Sequence, residues 1–130
     1  ICGISRATTA AHLARAALEG IALQNVEILQ AMEADSGRHI TALKVDGGAC
    51  ANDLLMQIQA DCLGCRIVRP KVVETTALGA AYLAGLGAGL FTGTADIEAA
   101  WKMDREFLPQ TTAHERASVL EVWRKAVAKA

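Results

Sequence analysis

"LKVDGGACANDLLMQ", Leu43 to Gln57, joins three kinds of sequence in order. The apolar residues up to Val45 read as a buried strand, Asp46-Gly47-Gly48-Ala49 as a tight turn, and the residues from about Ala51 as an amphipathic helix. Adjacent glycines allow φ > 0 and leave no side chain to block a planar ring or a phosphate. The turn lies at the carboxyl end of a strand, where open α/β sheets place ligands, and it feeds a helix N-terminus with free N–H groups. Asn52, one turn into that helix, carries an amide able to donate to and accept from a base edge or a ribose. The stretch is neither G-x-G-x-x-G nor the G-x-x-x-x-G-K-[ST] phosphate loop. On these residues alone, a nucleotide site and a plain strand-to-helix turn both stay open.

Working outward, Thr8 or Thr9 caps a long helix ending at Asp35-Ser36-Gly37. Leu18, Ile21, Ala22, Leu29 and Met32 recur at helical spacing and make one apolar face, while Leu13 and Leu23 fall on another side. The helix from Ala51 turns Leu54, Leu55, Ile58 and Cys62 inward and ends at Gly64. "CRIVRP" is a short strand closed by Pro70. A third helix starts at Glu74-Thr75-Thr76 and runs to Leu86 or Leu90. Ala77, Ala80, Ala81, Ala84, Gly85 and Ala88 keep one of its sides small, suited to close packing on a sheet or to a sliding contact with another domain. "TADIEAAWK" gives a short helix, "REFLP" an extended segment, and "HERASVLEVWRKAVAK" a last helix with Val119, Val122, Trp123 and Val127 as its stripe. Helices alternating with strands predict an α/β layered domain.

Bulk composition narrows the class. The 130 residues suit one domain, 52% are hydrophobic and 4% aromatic, so the core is built from aliphatic and small side chains. A net charge of -1 offers no field for nucleic acid or anionic lipid. The uncharged run Thr75 to Ala95 is broken by glycines and reads as a buried helix and loop, not a membrane span. With no signal-peptide pattern at the start, the four cysteines point to a reduced, cytoplasmic setting.

Longer stretches add a resemblance. Leu43 to Gly85, ending in "ETTALGAAYLAG", resembles the C-terminal part of FGGY carbohydrate kinases. The opening fits that family's second signature: Gly3-Ile4, seven residues, His12-Leu13, two residues, then Ala16-Ala17-Leu18-Glu19. The similarity runs on through "REFLP" and the last helix. It implies an actin-like (ribonuclease-H-like) ATPase domain, incomplete in residues 1–130, forming one half around a cleft that holds ATP/ADP and Mg²⁺. "ETTALGAAYLAG" points to the glycerol-phosphorylating branch, with glycerol 3-phosphate as product. Carried over by position, Gly48 matches a backbone contact to the nucleotide and Asn52 a side-chain contact near adenine, with Gly47 and Ala49 completing the turn. The family's phosphate loops, glycerol-binding residues and catalytic aspartate match nothing from Ile1 onward. No catalytic residue is therefore expected in this stretch, and Mg²⁺ is expected on residues outside it. The implied partners are the remainder of the kinase chain, glycerol bound upstream, and a second copy in a homo-oligomer. A pentulose or gluconate kinase is the alternative within the family, and a structural or interaction fragment the alternative outside it.

The other chemistry-bearing residues read as structural. Asp46 before two glycines suits turn hydrogen bonding better than general-base or metal duty. Glu19 sits mid-helix, and Lys102, Arg105, Arg124, Lys125 and Lys129 read as solvated faces. Cys62-Leu63-Gly64-Cys65 lacks a second pair for zinc and spans a helix end rather than the helix start that redox cysteines use. His12, His39 and His114 have no catalytic partner in sequence.

Overall fold

A computed structural model describes residues 1–129. Helix α1, Ala10–Ser36, begins where Nδ1 of His12 accepts the Thr9 N–H at 3.1 Å, and ends at Gly37, whose φ of 64° stops it in the left-handed region. Strand β1 is Ala42–Lys44 and stops one residue short of Val45. A four-residue 3₁₀ turn, Gly48–Ala51, precedes helix α2, Asp53–Leu63, and Gly64 at φ 69° closes α2 as expected. Then follow β2 (Arg66–Pro70), α3 (Thr75–Gly87), α4 (Thr94–Ala100), β3 (Met103–Phe107) and α5 (Ala113–Val127).

The strands form one sheet in the order β1-β2-β3, with β1 parallel to β2 and β3 antiparallel to it. A parallel neighbour needs a crossover, and α2 supplies it. The β-branched pair Ile67-Val68 suits the middle strand. Ile67 faces Leu43 on one side and Phe107 on the other, and is fully buried. Beneath it lie Cys50, Leu55, Met56, Ala60 and Cys65, with Leu18 and Leu29 of α1 packed behind. Helix α1 therefore covers α2, and α2 covers the sheet. That layered α/β arrangement agrees with the expected class.

Three expectations about faces are corrected. On α1 the buried residues are Ala22, Leu23 and Val26, whereas Ile21 and Met32 are about half exposed at 47% and 54%. On α2, Leu54 is 51% exposed and Met56 takes the inward place, because α2 lies between α1 and the sheet, and its covered residues are Leu55, Met56, Ile58, Gln59 and Ala60. On α5 the stripe is not buried: Val119, Val122 and Val127 are exposed and line an apolar groove of about 620 Å³ with Ala16, Gly20 and Leu23 of α1.

Helix α3 does not pack as a core helix on this sheet. Gly85 is its one buried residue, and the ring of Phe91 is what covers it. Tyr82 meets Phe91 edge-on at 5.7 Å. A helix without a charged residue is ordinarily covered, yet Ala77, Ala80, Ala81 and Ala84 of α3 and its C-cap Ala88 are exposed here. Among the described residues no helix is long and apolar enough to cross a membrane.

Candidate functional site

The turn of Asp46 to Asn52 is held at both ends and open in the middle. Val45 N–H donates to Val68 O at 3.1 Å, extending the parallel ladder past β1. Gly47 N–H donates to Val73 O at 2.8 Å, and Gly47 O accepts from Cys50 N–H at 3.1 Å. Between these bonds Gly47 adopts φ 78° and ψ 168°, a region essentially closed to residues with a Cβ. Asp46 accepts a hydrogen bond from the Thr75 hydroxyl, which joins the turn to the start of α3. Gly48 does not have positive φ, and a Cβ built on it would meet nothing within 4 Å. A flat, unobstructed patch of backbone results, at the carboxyl end of β1.

Asn52 borders that patch with its side chain already half committed. Its Oδ1 accepts the Leu55 N–H at 3.1 Å as the N-cap of α2. Its amide NH₂ has no partner among the described residues. Gly47, Gly48, Ala49 and Asn52 are thus brought together on one stretch of backbone, with Gly48, Ala49 and Asn52 exposed.

The 3₁₀ turn alters the expected electrostatics. Sequence placed the helix N-terminus directly behind the glycines; the structure sets it back to Asp53, itself an anion in the first turn of α2. A carboxylate there occupies the favourable field of the helix end. The arrangement suits a base or ribose at Gly48–Asn52 better than a phosphate at α2.

Sequence reading missed the group behind the turn. Arg69 of β2 sends Nη1 to Cys50 O at 2.9 Å and to Asp53 Oδ1 at 2.7 Å. Its Nε and Nη2 both reach Asp104 Oδ2 of β3 at 2.8 Å. Arg105 Nη1 closes on the other oxygen of Asp53 at 2.5 Å. Both guanidiniums stand over the Phe107 ring, at 5.4 and 4.9 Å. Hydrogen bonding to Asp53 leads the effects that raise the already high pKa of Arg69, so its charge is permanent. Arg105, expected as part of a solvated face, is a member of this network. The antiparallel pairing of Arg69 with Arg105 brings these residues together across 36 positions of sequence, and no local motif announces it.

A cavity of about 230 Å³ adjoins the turn, lined by Lys44, Val45, Asp46, Pro70, Thr75 and Trp101. Lys44 Nζ lies 4.4 Å from the centre of the Trp101 ring and closes one side of it. Among the described residues no three His, Cys, Asp or Glu side chains converge as metal ligands. Asp46 is engaged by Thr75, and Asp53 by two guanidiniums, so the donor set around the turn does not fit Mg²⁺.

The remaining residues are accounted for locally. All four cysteines are free. Burial, with smaller effects of Glu19 and Asp61, pushes the Cys62 thiol up, and burial with Glu33 does the same for Cys65. Protonated thiols are poor nucleophiles and poor metal ligands. Glu19 pairs with Arg15 at 2.7 Å on α1, and His39 meets Glu33 at 2.8 Å.

Comparison with known proteins bears on this geometry. Residues 1–88 match the C-terminal domain of the FGGY family of carbohydrate kinases. A glycerol kinase of Deinococcus radiodurans is 56% identical over 128 residues, covering 98% of this chain and 26% of its own length. One of Rhodopirellula baltica is 58% identical over 127 residues, covering 98% and 24%. A crystal structure of Plasmodium falciparum glycerol kinase with ADP superposes with a TM-score of 0.87 at 32% identity, covering 98% of this chain and 26% of that one. The chain spans about a quarter of the length of the curated relatives it matches. The fold is that of the actin-like kinases, and the chain belongs to the FGGY family of carbohydrate kinases, within its C-terminal domain.

Proposed function

We propose that these residues form the adenosine-side wall of the ATP site in a glycerol kinase, which transfers the γ-phosphoryl of ATP to a primary hydroxyl of glycerol. The observation that carries the reading is the open backbone at Gly48 beside the free amide NH₂ of Asn52, at the carboxyl end of a strand. Gly47 and Ala49 shape that patch. Identity above 50% to several glycerol kinases supports glycerol over a pentulose or gluconate.

The chain's own share of the work is positioning. Gly48 accepts a flat ring or sugar against its backbone because no side chain stands there. Asn52 donates a hydrogen bond that orients it. Phosphoryl transfer is otherwise positioning and charge stabilisation around the γ-phosphate, and this turn has no group for either task. Mg²⁺, glycerol and the general base belong to the rest of the kinase. The exposed small face of α3 and the α1–α5 groove provide apolar surface for that remainder or for a second copy in a homo-oligomer. Four unbridged cysteines favour a reduced, cytoplasmic setting.

The test is an ADP-release assay on the full-length kinase chain with glycerol, dihydroxyacetone, xylulose, ribulose and gluconate. Preference for glycerol is expected, and preference for a ketose or gluconate would move the substrate assignment. The 130-residue piece alone is expected to release no ADP above a blank. Gly48→Val and Asn52→Ala in the full-length chain should each weaken ADP binding in a calorimetric titration; unchanged affinity in both would remove the site assignment.

A further inference from the structure

Resting on that reading, we propose that Arg69 is the positioning residue of the nucleotide turn: it touches no ligand, and it holds Gly48 and Asn52 where the nucleotide meets them. One guanidinium bonds to three separate segments. Cys50 O belongs to the 3₁₀ turn, Asp53 to the start of α2, and Asp104 to β3. Cys50 lies two residues after Gly48, and Asp53 directly follows Asn52, so two of these anchors flank the contact residues in sequence. The Arg69 side chain is only 12% exposed and stands over the buried Phe107 ring.

The planar fork matters as much as the charge. Nε and Nη2 share one oxygen of Asp104, while Nη1 bridges a backbone carbonyl and a second carboxylate. A lysine keeps the charge but presents one ammonium, which does not span acceptors on three segments. Asp53 is also held by Arg105, so loss of Arg69 leaves α2 anchored while the Cys50 carbonyl loses its side-chain donor. The expected consequence falls on the turn and not on the sheet: a 3₁₀ segment free to shift relative to the α2 cap. A displaced contact surface weakens binding of the ground state and transition state alike. That raises KM and leaves kcat in place.

The experiment measures steady-state kinetics of the full-length kinase carrying Arg69→Lys, with Asp104→Asn as the milder variant that strips the charge from the β3 anchor, weakens it and keeps Arg69. KM for ATP is expected to rise on the order of ten-fold for Arg69→Lys and less for Asp104→Asn, as for loss of hydrogen bonds to a charged group. The kcat and the KM for glycerol should stay at parent values. Asn52→Ala is measured beside them as the direct-contact control. If Asn52→Ala raises KM for ATP and both clamp variants leave it unchanged, the positioning role is overturned while the site stands. If Asn52→Ala and Gly48→Val also leave it unchanged, the site itself is misassigned and the proposal falls with it. A fall in kcat in proportion to the folded fraction seen by circular dichroism, with both KM values unmoved, assigns Arg69 to stability alone and refutes the proposal. Should Arg69→Lys not fold, the KM for ATP of Asp104→Asn decides by the same criteria.

Discussion

Gly47 and Gly48 stand side by side in the same turn, and alanine at the two positions should have opposite effects on stability. Gly47 has φ 78° and ψ 168°, and its two backbone groups are both bonded, to Val73 O and from Cys50 N–H. An alanine there either stays in that region, at a cost of about 1–3 kcal/mol, or rotates away and gives up a hydrogen bond worth about 1 kcal/mol. Crowding contributes nothing, since no atom lies within 4 Å of the added Cβ. Gly48 has the same open surroundings and no positive φ. Alanine there restricts the unfolded chain more than the folded one and should stabilise by about 0.4–1 kcal/mol. Urea unfolding of both variants in the full-length chain should therefore separate them by roughly 1.4–4 kcal/mol. A titration with ADP then divides fold from function: Gly48→Ala should bind less tightly although it is no less stable. Equal unfolding midpoints for the two variants would refute the backbone argument, and a destabilised Gly48→Ala would show that the space above Gly48 is filled.

Other perturbations follow from single contacts. Gly64→Ala should lower the unfolding midpoint through the left-handed φ of 69°, while the Arg116 guanidinium, 2.6 Å from the added Cβ, is the end of a flexible side chain and moves aside; a midpoint equal to that of the parent would contradict the geometry. Iodoacetamide followed by peptide mapping should modify exposed Cys2 first and Cys50, Cys62 and Cys65 slowly, since burial raises all three thiol pKa values. Because the folded pKa of these thiols lies above the unfolded one, their contribution to stability is complete below the unfolded pKa and is lost as pH rises through the folded pKa. The urea midpoint should accordingly fall above about pH 9, and a midpoint that holds or rises there would show the thiols are not desolvated.

Much of the scaffold was legible from local chemistry. Gly37 and Gly64 end helices because only glycine takes the left-handed cap cheaply, and both do so here. Ile67-Val68 before Pro70 marked the buried strand correctly. Reading faces went less well. Ile21 and Met32 share the helical spacing of Leu18 and Leu29, and Leu54 is as apolar as Leu55, yet all three point outward. Periodicity states which residues lie along one side of a helix; which side is covered depends on where the neighbouring element lies.

For the site, sequence by itself determined the conformational freedom at Gly47 and Gly48, the position of Asn52 next to them, and the family these residues share. Those are properties of a contiguous chain, set by backbone sterics and short-range spacing. Only the tertiary structure decided that a 3₁₀ turn sets α2 back from the glycines, that Asn52 Oδ1 is taken up as a helix cap, and that Asp53 fills the helix end. It also decided that Arg69 meets Cys50, Asp53 and Asp104 at once. Those partners come from three segments, and a guanidinium finds them only after the sheet has paired β2 with β3 and packed α2 against it. Such an ion-pair network depends on distance in space, and the order of residues along a chain does not contain that distance.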